Sequence, residues 1–192
     1  FATRLESGSI ALNREWTTLE EIVGVGLARH RLDLASRPFR VHLPTDMWMV
    51  RVDNAMLPQV VHNLIENALR YTPEGTPISV SAWTTDAHVV VKVADEGPGI
   101  AEDEAAKVFQ RFYRGRASKS GSAAAGASPS STGMGLGLTI CEGIIRAHGG
   151  RIWAEPNAPR GVAFMFSLPV HLPQPSMPSE LVQRTHAQGG AA

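Results

Sequence analysis

Apolar and polar residues recur in the first part of the chain with spacings that predict one helix and two strands. After an extended start, apolar residues three or four positions apart follow a capping box at Thr17 and Glu20, and they predict a helix to about Ser36. Two short alternating runs, at 39–43 and 48–52, predict strands because alternation places apolar side chains on one face of a sheet.

A second, strongly amphipathic helix is predicted after Asp53, whose carboxylate can cap it. The helix has to end near Pro73 and Gly75, which do not continue a helix. Its apolar stripe consists of Met56, Leu57, Val60, Val61, Leu64, Ile65, Ala68 and Leu69.

The remaining periodic segments predict four strands and a further helix. Alternating runs at 77–84 and 87–95 are joined by a short turn and predict an antiparallel pair. A helix begins near residue 136 and stops at Gly149–Gly150, and strands follow at 151–156 and 162–169. Helices and strands in this order predict an α/β sandwich, in which helices cover one face of a mixed, largely antiparallel sheet.

Three segments fall outside this regular pattern. A short helical piece is expected at 105–112, and it is followed by small polar residues without apolar periodicity, which predict a mobile loop at 115–131. The tail, 171–192, is rich in Pro, Ser and Gln, and we expect it to be disordered.

The composition excludes some classes of protein. With 18 basic and 18 acidic side chains the formal net charge is zero, so we expect no nucleic acid partner, although a local basic patch remains compatible with that total. The chain has no run of eighteen apolar residues and no signal peptide. The single Cys141 cannot form an internal disulfide, and the sequence fits a reducing, cytoplasmic setting.

Polar residues on the second helix are candidates for binding. Asn63, Asn67 and Arg70 are spaced i, i+4 and i+7, which places them on one face. Asn has a low helix propensity, so two Asn residues on one face make the helix less stable. A bound ligand can offset this cost, or both side chains can simply be exposed to solvent.

Two glycine-rich segments are further candidates. Asp95 ends a predicted strand and precedes Gly97 and Gly99, where a flat ligand can lie on bare backbone while the carboxylate accepts a hydrogen bond from an exocyclic amine such as that of adenine. The segment TGMGLGL, 132–138, opens a helix whose N–H groups can bind phosphate. Taken alone, the segment at 95–99 is equally compatible with an ordinary turn, and the segment at 132–138 with a glycine-rich hinge.

Four motifs in order, NLIENALRYTPEG, VADEGPGI, VFQRFYRG and GMGLGL, resemble the N, G1, F and G2 boxes of the catalytic, ATP-binding domain of sensor histidine kinases. The resemblance extends over about 17–169. RLESGSIALNREW and CEGIIRAHGGRIWAEP further resemble the potassium-responsive, KdpD-type kinases. This likeness implies a Bergerat sandwich, shared with gyrase-like, Hsp90-like and MutL-like ATPases, and the cofactors ATP and Mg²⁺.

The resemblance also implies roles for particular residues. Asn67 is expected to hold Mg²⁺ through its amide oxygen, Asn63 to order a metal-bound water, and Asp95 to accept the adenine amine. Phe109 and Phe112 are expected to anchor a mobile ATP lid at about 101–137. Nucleotide binding is expected from Asn63, Asn67, Arg70, Tyr71, Asp95, Gly97, Gly99, Ile100, Phe112, Arg114, Gly133, Met134, Gly135, Leu136, Gly137 and Leu138, with Asn63 and Asn67 as the catalytic positions.

The chemistry expected is transfer of the γ-phosphate to a histidine. Related ATPases have a Glu four residues before the metal-binding Asn, but here that position is Asn63, which is no base, and Glu66 points about 100° away. None of the seven histidines has the context of an acceptor. We therefore expect the acceptor to lie on a dimerisation helix of which 1–16 is a remnant with its linker, ahead of a catalytic domain at 17–170.

The implied partners are that acceptor domain and a response regulator, with any membrane attachment through upstream segments and the fragment itself a monomer or weak dimer. Two alternatives remain open. One is a Bergerat-fold ATPase or serine kinase, and the other is a nucleotide-binding regulatory module without transfer activity. Among the other residues, Cys141 is expected to be a buried hydrophobe and His148 a charge near a helix C-terminus.

Overall fold

The computed structural model of the protein describes residues 11–44, 49–85, 87–110 and 136–170. Within these ranges no helix is long and apolar enough to cross a membrane. The strands are β1 (Arg14–Thr18), β2 (Phe39–His42), β3 (Met49–Asp53), β4 (Ile78–Thr84), β5 (His88–Asp95), β6 (Arg151–Pro156) and β7 (Val162–Pro169). The helices are α1 (Leu19–Leu27), α2 (Arg31–Ala35), α3 (Leu57–Tyr71), α4 (Glu102–Ala105) and α5 (Gly137–Ala147), with a 3₁₀ turn at Ala28–His30 between α1 and α2.

The described strands form a five-stranded mixed sheet in the order β2-β4-β5-β7-β6 and a separate two-stranded ladder of β1 and β3. All neighbours in the larger sheet are antiparallel except β2 and β4, which are parallel. The antiparallel pairing of β4 with β5 and the strands at the end of the chain agree with the sequence prediction. The α/β sandwich is therefore confirmed, with the small β1–β3 ladder beside it.

The core lies between one face of the five-stranded sheet and the helices α1, α3 and α5. Alternate residues of β4 and β5 point inward, as their periodicity predicts, and α3 presents the apolar stripe to them. Asp95, the last residue of β5, pairs in register with Ile78, so the sheet delivers this carboxylate to an edge of the core. Fully buried side chains at the centre include Phe166, Leu57, Leu64, Ile65, Ile78, Ile144 and Ile145.

The capping box of the first helix lies one residue later than predicted. Thr18, not Thr17, is the N-cap of α1, and its hydroxyl oxygen accepts from the backbone N–H of Glu21 at 3.2 Å. The carboxylate of Glu21 accepts in turn from the hydroxyl of Thr17 at 2.8 Å. Sequence spacing cannot separate Thr17 with Glu20 from Thr18 with Glu21, and the pairing of β1 with β3, which holds both threonines in strand conformation, decides between them.

The prediction that Asp53 caps the second helix is wrong in detail. Asp53 closes β3, and its Oδ1 accepts from the N–H groups of Ala55 at 3.0 Å and Met56 at 3.1 Å. Helix α3 begins after that turn, at Leu57, with a Pro in its first turn. The carboxylate therefore stabilises the turn that leads into α3 rather than the helix terminus.

His148 does not carry a charge at the end of α5, as the sequence analysis expected. The side chain is buried, its Nδ1 lies 2.8 Å from the carbonyl oxygen of Ile144, and its Nε2 accepts from the backbone N–H of Asp53 at 2.9 Å. Burial lowers the pKa of His148, because removal from water disfavours the charged ring. A proton on Nε2 would also place two donors face to face, since Nε2 accepts from Asp53. The neutral ring thus fastens the end of α5 to the end of β3.

The segment after β5 differs from the predicted helical piece at 105–112. Helix α4 comes earlier and ends at Ala105, and irregular turns continue to Gln110. The remainder of that piece, the loop predicted at 115–131, the tail 171–192 and the first residues 1–10 lie outside the described residues. Helix α5 ends as predicted, with Gly149 at a φ of +79°.

Candidate functional site

The polar face of α3 presents three side chains in different states. Asn63 is buried, whereas Asn67 and Arg70 are each half-buried. The guanidinium of Arg70 lies 3.9 Å from the carboxylate of Glu66, a partly exposed pair worth little to stability. Within the described part of the chain, the amide of Asn67 has no hydrogen-bond partner. Of the three, Asn67 is the residue whose polar group is free to bind something else.

Asn63 joins α3 to the start of α5. Its Nδ2 donates to the carbonyl oxygen of Gly137 at 3.2 Å and to the sulfur of Cys141 at 3.5 Å. Its Oδ1 accepts from Nε2 of Gln59 at 2.7 Å. Cys141 is fully buried, and this burial raises the pKa of its thiol to about 12, which confirms the expectation of a small buried hydrophobe rather than a nucleophile.

Asp95 is a buried carboxylate that forms no salt bridge with a cation among the described residues. Its side chain is only 4% exposed, and its Oδ1 accepts from the N–H of Gly97 at 2.8 Å. Burial raises the pKa of Asp95, while hydrogen bonds from the backbone of Gly97 and Val162 oppose the rise. A buried acceptor with so few partners is suited to a neutral donor such as an amine or amide N–H.

Glycines let the backbone approach this carboxylate closely. A Cβ on Gly97 would lie 2.5 Å from Cγ2 of Thr72 and 2.9 Å from Oδ1 of Asp95, so a side chain there would overlap both atoms. Gly99 has a φ of +78°, and a Cβ on it would lie 3.0 Å from the carbonyl oxygen of Gly161. The backbone of Gly97, Gly99 and Gly161 therefore forms one closely packed wall beside Asp95.

Sequence reasoning missed two residues at this wall. Thr72, buried one residue after α3, donates from its hydroxyl to the carbonyl oxygen of Ala68 at 2.6 Å and accepts from Nη1 of Arg37 at 2.9 Å. Asn157 donates from Nδ2 to the carbonyl oxygen of Asp95 at 3.0 Å. Neither residue stands out in the chain, since Thr72 reads as the end of a helix and Asn157 as a turn residue.

The start of α5 faces the same region. Leu136 is its N-cap and makes no side-chain cap, so the N–H groups of the first turn are left without intrahelical partners. The hydroxyl of Thr139 donates to the carbonyl oxygen of Phe109 at 3.0 Å, and the ring of Phe109 packs edge-on against Phe164. The two chain segments that flank residues 111–135 are therefore joined to each other.

Helix α3 brings the predicted groups together. Asn63 contacts Gly137 near its middle, and Thr72 contacts Gly97 at its end, so α3 links the start of α5 to the glycines after β5. Ile100 and Leu138 are partly buried against the main core, and Tyr71 is 49% exposed. Phe112, Arg114, Gly133, Met134 and Gly135 lie outside the described residues.

The one amide oxygen that is unpaired on this face of α3, among the described residues, suits a hard divalent cation that is bound together with an anionic ligand. The described residues contain no group of three or more His, Cys, Asp or Glu side chains that could hold a metal. Asn67 offers one amide oxygen, the type of ligand that Mg²⁺ prefers, and such an ion takes its remaining ligands from phosphate oxygens and water. The residues present therefore fit Mg²⁺ bound together with a polyphosphate.

Comparison with known proteins shows which family the chain is similar to. Residues 52–172 match the family of histidine kinase-, DNA gyrase B- and HSP90-like ATPases. The sensor protein KdpD of Clostridium acetobutylicum is 33% identical over 170 residues, which are 88% of this chain and 18% of that protein. The chain thus spans less than a fifth of the length of this curated relative.

Solved structures show the same fold. A mycobacterial sensor histidine kinase, MprB, superimposes with a TM-score of 0.68 at 29% identity, covering 82% of this chain and 98% of that one. Histidine kinase ThkA, solved in complex with the response regulator protein TrrA, gives a TM-score of 0.65 at 28% identity, covering 82% of this chain and 42% of that one.

Proposed function

The chain belongs to the family of histidine kinase-, DNA gyrase B- and HSP90-like ATPases, and on that premise we propose that it is the Mg-ATP-binding catalytic domain of a sensor histidine kinase. In the proposed reaction the bond between the γ-phosphorus and the β–γ bridging oxygen breaks, and a P–N bond forms to an imidazole nitrogen of an acceptor histidine. The attacking nitrogen is the one that carries no proton in the neutral ring. ADP leaves, and the proton on the other ring nitrogen passes to solvent.

One observation supports this proposal: α3 contacts both the start of α5 and the glycines after β5. Its residue Asn63 holds the start of α5, and the residue after its last turn, Thr72, packs on Gly97 beside Asp95. Between these two contacts lies Asn67, whose amide has no partner in the described part of the chain. A nucleotide matches this order, with the base at Asp95, the metal at Asn67 and the phosphates at the start of α5.

The base end is built to select an amine. The buried carboxylate of Asp95 accepts backbone hydrogen bonds from Gly97 and Val162 and keeps lone pairs for a ligand donor. Since Gly97 and Gly99 have no side chains, the purine ring can lie against backbone there. We propose that Asp95 accepts from the exocyclic N6 amine of adenine.

The phosphate end combines backbone N–H groups with a metal. The N–H groups of the first turn of α5, which have no intrahelical partners, and the positive end of its dipole favour an anion. Asn67 would hold Mg²⁺ through its oxygen, and Asn63 would order a metal-bound water through the second lone pair of Oδ1. Bound Mg²⁺ supplies charge neutralisation of the triphosphate. The ion pair of Arg70 with Glu66 is weak and partly exposed. We propose that Arg70 exchanges this partner for a phosphate oxygen when the nucleotide binds.

Transfer to histidine is favoured over hydrolysis because no described group near Asn67 can act as a base toward water. Asn63 is an amide with both hydrogens committed to Gly137 and Cys141. Glu66 is exposed and, as the next residue before Asn67, points about 100° away from it around the helix. The chemistry that remains is positioning of an external nucleophile and stabilisation of charge.

The full-length setting is part of the same proposal. The catalytic domain of the proposal covers 17–170, and the pairing of β1 with β3 extends its fold to Arg14. The acceptor histidine lies upstream, and the partner of the phosphorylated protein is a response regulator, as in the ThkA–TrrA complex. The similarity to KdpD favours a cytoplasmic domain of a potassium- or osmotic-response sensor.

The test mixes this chain with ATP, Mg²⁺ and the separately made acceptor-histidine domain of its full-length protein. We expect acid-labile phosphate on the acceptor domain, and none when EDTA removes the metal. Free phosphate released without the acceptor would favour an ATPase instead. ATP binding without any transfer would contradict the kinase assignment and favour a regulatory nucleotide-binding module.

A further inference from the structure

Gln59 lies one turn before Asn63 on α3 and has no established part in the site. It is half-buried, and its Nε2 donates to Oδ1 of Asn63 at 2.7 Å, a short hydrogen bond for an amide pair. This is its one side-chain hydrogen bond within the described part of the chain. The hydrogen bond to Asn63 is therefore the interaction that defines the position of the Gln59 side chain.

The amide of Asn63 can satisfy its neighbours in one orientation only. Gly137 offers a carbonyl oxygen, an acceptor, so Nδ2 has to face α5 and Oδ1 has to face Gln59. Flipping the amide would place two oxygens against each other at Gly137. Because Asn63 is 7% exposed, water does not readily compensate for such a mismatch.

The Nε2–H group of Gln59 supplies the donor that Oδ1 of Asn63 accepts from once Nδ2 faces α5. With Oδ1 paired, the Asn63 side chain is fixed at both ends and holds the carbonyl of Gly137 against α3. Gly137 itself presents no side chain, and a Cβ there would lie 3.9 Å from Nδ2 of Asn63, in ordinary contact. The first turn of α5 thus depends on a chain of two amides that starts at Gln59.

We propose that Gln59 is a positioning residue, which orients the Asn63 amide and thereby holds the first turn of α5 where the phosphates of the nucleotide bind. The second half of this statement rests on the proposed function, whereas the orientation of Asn63 does not. Gln59 needs no contact with the ligand, since it acts through Asn63.

The test compares Gln59→Glu with Gln59→Met in the intact chain. Glu keeps the size of Gln but replaces the donor by a carboxylate that repels Oδ1 of Asn63, whereas Met keeps the approximate length and removes the hydrogen bond without adding a charge. Without nucleotide, we expect the side-chain N–H signals of Asn63 in a ¹H–¹⁵N spectrum to move most in Gln59→Glu and less in Gln59→Met. Amide hydrogen exchange at Ile140, whose N–H donates to Leu136, and at Cys141 should accelerate about 5- to 20-fold in the Glu variant, with α1 and β4 unchanged.

With Mg²⁺ and the ATP analogue AMP-PNP, the Kd of Gln59→Glu should rise by about tenfold over the wild type, and that of Gln59→Met by less. Unchanged Asn63 signals and unchanged exchange in Gln59→Glu would overturn the proposal. So would a larger effect of Gln59→Met than of Gln59→Glu, which would indicate lost packing rather than a lost donor. Failure of the wild type to bind the nucleotide would contradict the proposed function, and the Asn63 signals would still decide how Gln59 acts.

Discussion

Replacing Asp95 by Asn is expected to raise the Kd for Mg-ATP by about 30- to 150-fold, equivalent to about 2–3 kcal/mol. The substitution keeps the shape of the side chain but leaves a single acceptor oxygen. That oxygen is needed for the N–H of Gly97, at 2.8 Å, so the new NH₂ group would face the amine of adenine. A buried donor opposed to a donor loses the hydrogen bond and retains the cost of removing both groups from water. Titration calorimetry measures the change.

The matched control for Asp95→Asn is the same change one residue later, Glu96→Gln. Both variants replace a carboxylate by an amide and remove one negative charge, but Glu96 is exposed. The Kd of the Glu96→Gln variant for Mg-ATP should stay within twofold of the wild-type value. Thermal unfolding of each variant establishes that it is folded. If folded Asp95→Asn binds Mg-ATP as tightly as Glu96→Gln does, Asp95 does not contact the base.

Gly161→Ala is expected to cost the fold roughly 2–5 kcal/mol, because an L side chain at positive φ and a steric overlap both oppose it. Gly161 has a φ of +109°, and a Cβ there would lie 1.9 Å from the carbonyl oxygen of Asp95 and 2.9 Å from Cα of Glu96. These are backbone atoms, which cannot rotate away as a side chain can. The overlap would displace the strand end that carries Asp95, so nucleotide affinity should fall together with the midpoint of urea unfolding.

Gly75→Ala separates the two causes of that loss. Gly75 has a φ of +75°, but a Cβ there would meet no atom within 4 Å, so it isolates the conformational cost, about 1 kcal/mol. Gly24→Ala, in α1 with open space around it, should be neutral or slightly stabilising. An unfolding midpoint of Gly161→Ala no lower than that of Gly75→Ala would show that the close approach to Asp95 is relieved without cost.

Local sequence signals were sufficient to predict those helices and strands that pack or pair with segments close to them in sequence. The strands β6 and β7 have the bounds that alternation predicted, and α5 ends where Gly149 and Gly150 indicated. The antiparallel pairing of β4 with β5 follows from a short turn between two alternating runs. Asp95 could be placed at a strand end because alternation stops there and glycines follow.

What the sequence could not decide depends on contacts between distant segments. The capping box shifted to Thr18 because β1 pairs with β3, and the neutral state of His148 depends on the N–H of Asp53, far away along the chain. The hydrogen bonds of Asn63 to Gly137 and Cys141 likewise join α3 to α5. Periodicity placed Asn63 on a face of α3, but only the packing of the helices shows what that face touches.

The most direct test of the account is a ¹H–¹⁵N titration of the wild-type chain with the non-hydrolysable analogue AMP-PNP, first without and then with Mg²⁺. The account predicts that nucleotide moves the backbone signals of Gly97, Gly99 and Gly137, and that the side-chain amide of Asn67 moves only once Mg²⁺ is added. Signals that stay in place, or that move only in the β1–β3 ladder, would contradict a single nucleotide site built on α3.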